Sequence, residues 1–179
     1  MRVITGTARG RKLKTPAGKD VRPTADMVKE AIFSILQNDV PGSRVLDVFA
    51  GSGQLGIEAL SRGAKSAVFL DQNREAIACI KENLQHTGLF AQSSVAFMDS
   101  ISFLKRGGQE FDIILLDPPY KKGILEEALP LALDMLAPKG VAVCETSRQE
   151  VLPEGNEHFK IYKEYRYGQI KLTVYRDVR

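Results

Sequence analysis

From Arg44 onward, short apolar runs alternate with stretches of helical periodicity, and this alternation restricts the possible folds more than any other feature of the chain. Residues 45–49, 67–70, 95–98, 112–116 and 141–144 read as strands. Residues 55–62, 75–85, 101–105 and 125–136 between them read as helices, punctuated by Gly63, Gly88, Gly107-Gly108 and Gly140. Continuous apolar strands separated by helices predict a parallel sheet covered on both faces. The tail changes character: Phe159, Ile161, Tyr165, Tyr167, Ile170, Leu172, Val174 and Tyr175 include alternating stretches that flank Gly168-Gln169 without a helix. An antiparallel hairpin closing one sheet edge is expected there. With 179 residues, the chain has room for one domain with a real core.

The segment before residue 41 is different. Residues 1–22 carry seven basic residues against Asp20 alone, a net +6, leaving 18 basic and 21 acidic residues on the rest. A basic arm on a mildly acidic body suits holding a polyanion, and equally suits keeping a protein soluble. Val3-Ile4 could pair as a short strand. Thr24 is expected to cap a helix whose Met27, Val28, Ala31, Ile32, Ile35 and Leu36 recur at helical spacing and face the core. The expected division is therefore an arm and helix over 1–40 and a second unit over 41–179.

Asp47-Val48-Phe49-Ala50-Gly51-Ser52-Gly53-Gln54-Leu55-Gly56 reads as a strand end, a glycine turn and a helix start. Gly51, Gly53 and Gly56 fit GxGxxG, and Asp71 follows at the end of the next strand, where an acid can accept from ribose hydroxyls. Nicotinamide enzymes share that geometry. Asp47 tilts the reading, because an anion inside the strand end would repel a pyrophosphate yet favour a sulfonium or amino group. Asp99 ends the third strand and is placed to accept from an adenine amino group. Each acid alone could be an ordinary turn or cap residue. Three at successive strand ends favour a ligand site.

Asp117-Pro118-Pro119-Tyr120 closes the fourth strand. Neither proline can donate to a ladder, so the pairing ends there and the turn is held in a narrow range. An acceptor and an aromatic face on a rigid corner suit gripping a flat, amino-bearing ring. An aromatic amine is a poor nucleophile, because its lone pair is delocalised. Acceptance of its protons by Asp117 and the Pro118 carbonyl would localise that pair, and Tyr120 would stack on the base.

These features resemble known families. The layout is similar to class I S-adenosylmethionine-dependent methyltransferases: a Rossmann-like α/β fold with a mostly parallel seven-stranded sheet and a C-terminal antiparallel hairpin. The tetrapeptide resembles the (Asn/Asp)-Pro-Pro-(Tyr/Phe/Trp) motif of enzymes that methylate exocyclic amino groups. Further residues carry a narrower likeness: Arg2-Val3-Ile4, Gly10-Arg11-Lys12-Leu13, Arg22-Pro23-Thr24, Val28-Lys29-Glu30, Phe33 and Glu58-Ala59-Leu60-Ser61-Arg62-Gly63. With the glycine and proline motifs, they resemble the bacterial 16S ribosomal RNA guanine-N2 methyltransferases of the RsmD family over nearly the whole length. That resemblance implies S-adenosylmethionine as cofactor, held by Asp47, Gly51, Ser52, Gly53, Asp71 and Asp99. It implies catalysis at Asp117, Pro118, Pro119 and Tyr120, and RNA contacts from Arg9, Arg11, Lys12, Lys14 and Arg22. Asp71 stands where family members often carry Glu, and Gly6-Thr7-Ala8-Arg9 lacks the aromatic often found there.

The expected partner is ribosomal RNA within the small ribosomal subunit, met by a monomer. No apolar run approaches the ~18–20 residues needed to span a bilayer, and no secretory signal is evident. A cytoplasmic protein without membrane or metal partners is expected, since His86 and His158 are isolated and Cys79 and Cys144 read as reduced packing residues. Three rival readings stay open. An N6-adenine methyltransferase would use the same tetrapeptide. A nicotinamide-dependent oxidoreductase would leave that tetrapeptide unexplained. A non-catalytic RNA-binding factor would have no need for intact motifs.

Overall fold

The computed structural model of the chain describes residues 1–16, 23–119 and 123–179. Their elements are α1 (Pro23–Ile35), β1 (Arg44–Asp47), α2 (Gln54–Ser61), β2 (Ser66–Asp71), α3 (Arg74–Thr87), β3 (Ser93–Phe97), α4 (Ser100–Arg106), β4 (Phe111–Leu116), α5 (Ile124–Leu133), β5 (Leu136–Ser147), β6 (Phe159–Tyr167) and β7 (Ile170–Asp177). The strands form one sheet in the order β3-β2-β1-β4-β5-β7-β6. The first five are parallel, and β7 runs antiparallel to both β5 and β6. The sequence-predicted alternation and terminal hairpin are both present.

Two apolar layers flank the sheet, as alternating side chains of buried strands require. Val45, Ile113, Leu115, Val141, Val143, Leu172 and Val174 face α1, α2 and α3. Leu46, Ile114, Leu116, Ala142, Cys144 and Tyr175 face α4 and α5. Helix α5 stops at Leu133, short of the expected residue 136. Leu136 instead opens β5, pairing with Phe111 across an irregularity in the ladder. Pro138 and Gly140 follow it, and neither favours a continuing helix.

Helix α1 begins at Pro23, ahead of the expected Thr24 cap; proline at the first helical position has its φ already set. Its buried stripe also differs from expectation. Met27 is 58% exposed, while Lys29 is 1% exposed beside Val28, Ile32, Phe33 and Leu36. The cause is Glu58 on α2, which is fully buried and lies 3.6 Å from the Lys29 ammonium. Lys29 also donates to the Arg2 carbonyl at 2.7 Å. A buried carboxylate needs compensating donors, and the helix turns so that lysine supplies them.

Those donors anchor the basic segment. Residues 2–12 fold back as a small hairpin, with Val3 N donating to Arg11 O at 3.0 Å and Gly10 N to Val3 O at 2.8 Å. Glu58 accepts the Ile4 and Thr5 amides at 2.8 and 3.0 Å, and Ser61 Oγ donates to Thr5 O at 2.7 Å. Gly6 is required where the segment crosses α2, since a Cβ there would lie 1.8 Å from Ser61 O. Val3, Ala8 and Leu13 join the layer of α1 to α3.

Candidate active site

The parallel register brings the two sequence motifs together. Asp47 at the end of β1 lies level with Phe69 on β2 and Leu115 on β4, and Leu115 lies level with Val143 on β5. Two residues further along each neighbour come Asp71, Asp117 and Glu145. With a side-chain period of two, all four carboxyls emerge on the α1–α3 face at the carboxyl edge. Ligands bind at that edge in open α/β sheets.

The glycine turn is shaped by these acids. Gly51 and Gly53 have φ of 60° and 82°, a conformation costly for other residues. Asp71 Oδ2 accepts the Gly51 amide at 2.9 Å, and Oδ1 accepts Asn73 N at 2.9 Å. Nothing stands within 4 Å of where a Gly51 Cβ would be, which leaves the backbone open to a ligand. Gly56 serves packing instead. A Cβ there would lie 2.3 Å from Phe69 Cε1, so its absence lets α2 rest on β2.

Asp47 is 1% exposed. Its Oδ2 accepts the Gly56 amide at 3.1 Å, while Oδ1 has no hydrogen-bond partner among the described residues. Burial pushes its pKa up to about 7; the Gly56 amide opposes this, and Asp117 and Asp71 add to it. An orphaned carboxylate oxygen behind a glycine turn suits a cationic donor, because such a group satisfies the atom and offsets the acidic surroundings. The amino acid portion of S-adenosylmethionine carries such a group, so these residues fit that cofactor.

Asp117 and Pro118 are half-buried where β4 ends, and Pro119 is exposed. Tyr120 and Arg22 lie outside the described residues. Glu145, at the end of the neighbouring row of β5, lies beside Asp117. Burial first, and then the Asp117 carboxylate, raises its pKa well above the usual carboxylate range. Glu145 was missed in the sequence, although an acid closing the apolar run 141–144 repeats the pattern that singled out Asp47.

The remaining expected residues sit nearby. Asp99 is exposed and caps α4, with Oδ2 accepting Ser102 N and Ser102 Oγ, each at 3.0 Å. Ser52 presents its carbonyl to Asn83 Nδ2 at 2.9 Å. Asn83 also donates to Lys14 O at 2.9 Å and accepts Lys14 N at 2.8 Å. This buried amide therefore joins the basic segment to the glycine turn, a link that no sequence motif announced. Arg9, Arg11, Lys12 and Lys14 are all exposed. Lys14 pairs with Glu82, and Arg11 donates to His86 O at 3.4 Å. Arg9 and Lys12 form no ion pair among the described residues.

A cavity of about 600 Å³ lies elsewhere, between Thr5, Thr7, Val40, Ser61 and Arg62. Among the described residues, no cluster of His, Cys, Asp and Glu could hold a metal ion, and no helix is long and apolar enough to cross a membrane.

Known proteins are similar to this chain in sequence and fold. The family model described as Conserved hypothetical protein 95 matches residues 1–176. Ribosomal RNA small subunit methyltransferase D of Escherichia coli is 34% identical, with 98% of this chain and 89% of that protein aligned. The solved structure of the Escherichia coli protein yhhF superposes with a TM-score of 0.87 at 34% identity, covering 99% of this chain and 97% of that one. The 16S rRNA N2 G1207 methyltransferase RsmC of Thermus thermophilus, solved with AdoMet and guanosine, has a TM-score of 0.74 at 22% identity. That match covers 92% of this chain and 45% of that one, and shows the same class I methyltransferase fold. The chain belongs to the Conserved hypothetical protein 95 family, that of ribosomal RNA small subunit methyltransferase D.

Proposed function

We propose that this protein transfers a methyl group from S-adenosylmethionine to the exocyclic N2 of a guanine in small-subunit ribosomal RNA. The observation that carries the reading is that Asp47 ends β1 and Asp117 directly follows the end of the adjacent parallel strand β4. A cofactor-type acid and an amine-type acid thereby border one cleft. Bound S-adenosylmethionine supplies an electrophilic methyl on a sulfonium.

The chain's own residues do the rest. Asp47 holds the cofactor's amino group, the Gly51–Gly53 turn lets it approach the backbone, and Asp71 and Asp99 serve its ribose and adenine. Asp117 and the Pro118 carbonyl accept the protons of the target amine, which localises its lone pair. Positioning of this kind converts a bimolecular encounter into an oriented one and accounts for most of the acceleration such a site needs. Tyr120 stacks on the flipped base. Arg9, Arg11, Lys12, Lys14 and Arg22 hold the RNA backbone, residues 1–40 acting as the RNA-binding extension of a methyltransferase domain over 41–179.

The test is to incubate wild-type protein with purified small subunits and isotopically labelled S-adenosylmethionine, then digest and identify the nucleoside by mass spectrometry. N2-methylguanosine is expected; methyladenosine would replace this reading with the N6-adenine one. Asp117→Ala should keep cofactor binding and lose turnover by about two orders of magnitude or more.

A further inference from the structure

We infer that Glu145 is a positioning residue for Asp117: it holds the single proton of a carboxyl pair and donates it in a hydrogen bond that fixes the Asp117 carboxylate. The inference deepens the function proposed above and rests on it.

The geometry comes first. Asp117 and Glu145 continue the paired rows Leu115–Val143 and Leu116–Cys144 of the parallel strands β4 and β5, so they emerge side by side on one face. Asp117 raises the Glu145 pKa both by its charge and as a hydrogen-bonding neighbour. Ionised carboxylates have only acceptors, so a hydrogen bond between two of them requires a proton on one. Two like charges in contact do not both ionise, and the pair keeps one proton through neutral pH.

The surroundings decide where it resides. Glu145 lies within the strand β5, flanked by Cys144, which is fully buried, and Thr146, which is 7% exposed. Asp117 stands on the corner after β4, followed by half-buried Pro118, while Glu145 is held inside a paired strand. The proton is therefore assigned to the strand-held acid and the charge to the one on the corner. On the β7 side, Glu145 faces apolar Leu172, with Tyr165 of β6 beyond it. Asp47 sits one pleat deeper, on the far side of Asp117. Lys171, on the other face of β7, directs its ammonium to the Glu150 carbonyl and lies 3.9 Å from Glu164. Among the described residues, the charge acting on Glu145 is therefore that of Asp117.

The consequence for Asp117 is specific. A hydrogen bond from Glu145 to one oxygen fixes how the Asp117 carboxylate is presented to an amine. A second anion in place of Glu145 would push Asp117 away; a neutral donor holds it still. This is why glutamine should serve nearly as well as glutamate here.

Difference infrared spectroscopy of the cofactor-free protein tests the proton directly. At about pH 8, one unit above the Asp47 titration, wild type should show the carbonyl band of a protonated carboxyl. The band should vanish in Glu145→Gln and survive in Asp117→Asn. Absence from wild type, persistence in Glu145→Gln or loss in Asp117→Asn would each overturn the inference. Turnover gives a second arm: Glu145→Ala should lose at least tenfold in kcat with little change in KM for the cofactor, and Glu145→Gln should recover most of that loss. A Glu145→Gln enzyme as slow as Glu145→Ala would also overturn it. The infrared arm stands even where wild type methylates some other nucleoside, so failure of the guanine reading remains distinguishable from failure of this one.

Discussion

Asp47 accepts the Gly56 amide through Oδ2 at 3.1 Å and keeps Oδ1 unpartnered inside the strand end, so one carboxylate both secures the start of α2 and presents a free acceptor to the cleft. Holding that acceptor ready costs stability.

The sign follows from the raised pKa of Asp47. The folded protein retains a proton up to about pH 7 that the unfolded chain releases near pH 4, so stability falls as pH rises across that window and stays lowered above it. Three units correspond to about 4 kcal/mol as an upper figure. Asp47→Asn should therefore melt higher than wild type at about pH 8, the two curves converging near pH 4, while losing about tenfold or more in affinity for S-adenosylhomocysteine. Melting curves that coincide at every pH would refute the account.

Gly56→Ala should cost roughly 1–3 kcal/mol, because the new methyl meets the fully buried Phe69 ring at 2.3 Å and the ring has nowhere to withdraw. Urea denaturation measures this. A neutral outcome would mean that α2 and β2 separate more easily than their packing implies.

Glu58→Ala should be among the most damaging substitutions outside the cleft. It strands the buried Lys29 ammonium, frees Arg62, which donates at 2.9 Å, and releases the Ile4 and Thr5 amides. Breaking one member of such a network costs about 3–5 kcal/mol. A double-mutant cycle with Lys29→Met should show strong coupling between the two sites; independent, additive effects would argue against a shared network.

Arg9→Ala and Lys12→Ala should leave melting unchanged, because both side chains are exposed. Each should reduce the slope of log affinity against log salt for RNA by about one unit. Filter binding over a salt series reads this directly, and an unaltered slope would assign the positive charge to solubility alone.

Much of this was legible in the residues. The buried runs around Val45, Phe69 and Ile113 could only be strands of a covered sheet, and the Asp117-Pro118-Pro119 corner had to end one. The failures share a physical cause. Met27 belongs to the expected apolar stripe and Lys29 does not, until a buried Glu58 from another element reverses them. Glu145 gains its meaning only from Asp117, 28 residues away in sequence and adjacent across two strands. Val3, Ala8 and Leu13 follow no helical or strand period, since a hairpin laid on helices buries residues by turn geometry instead.

Asn83 carries an implication for protein engineering. Its one amide group grips Lys14 on one side and Ser52 on the other, so the basic segment is not a detachable module. Transplanting that segment onto another catalytic scaffold would fail without an equivalent clasp, and deleting it would be felt at the glycine turn.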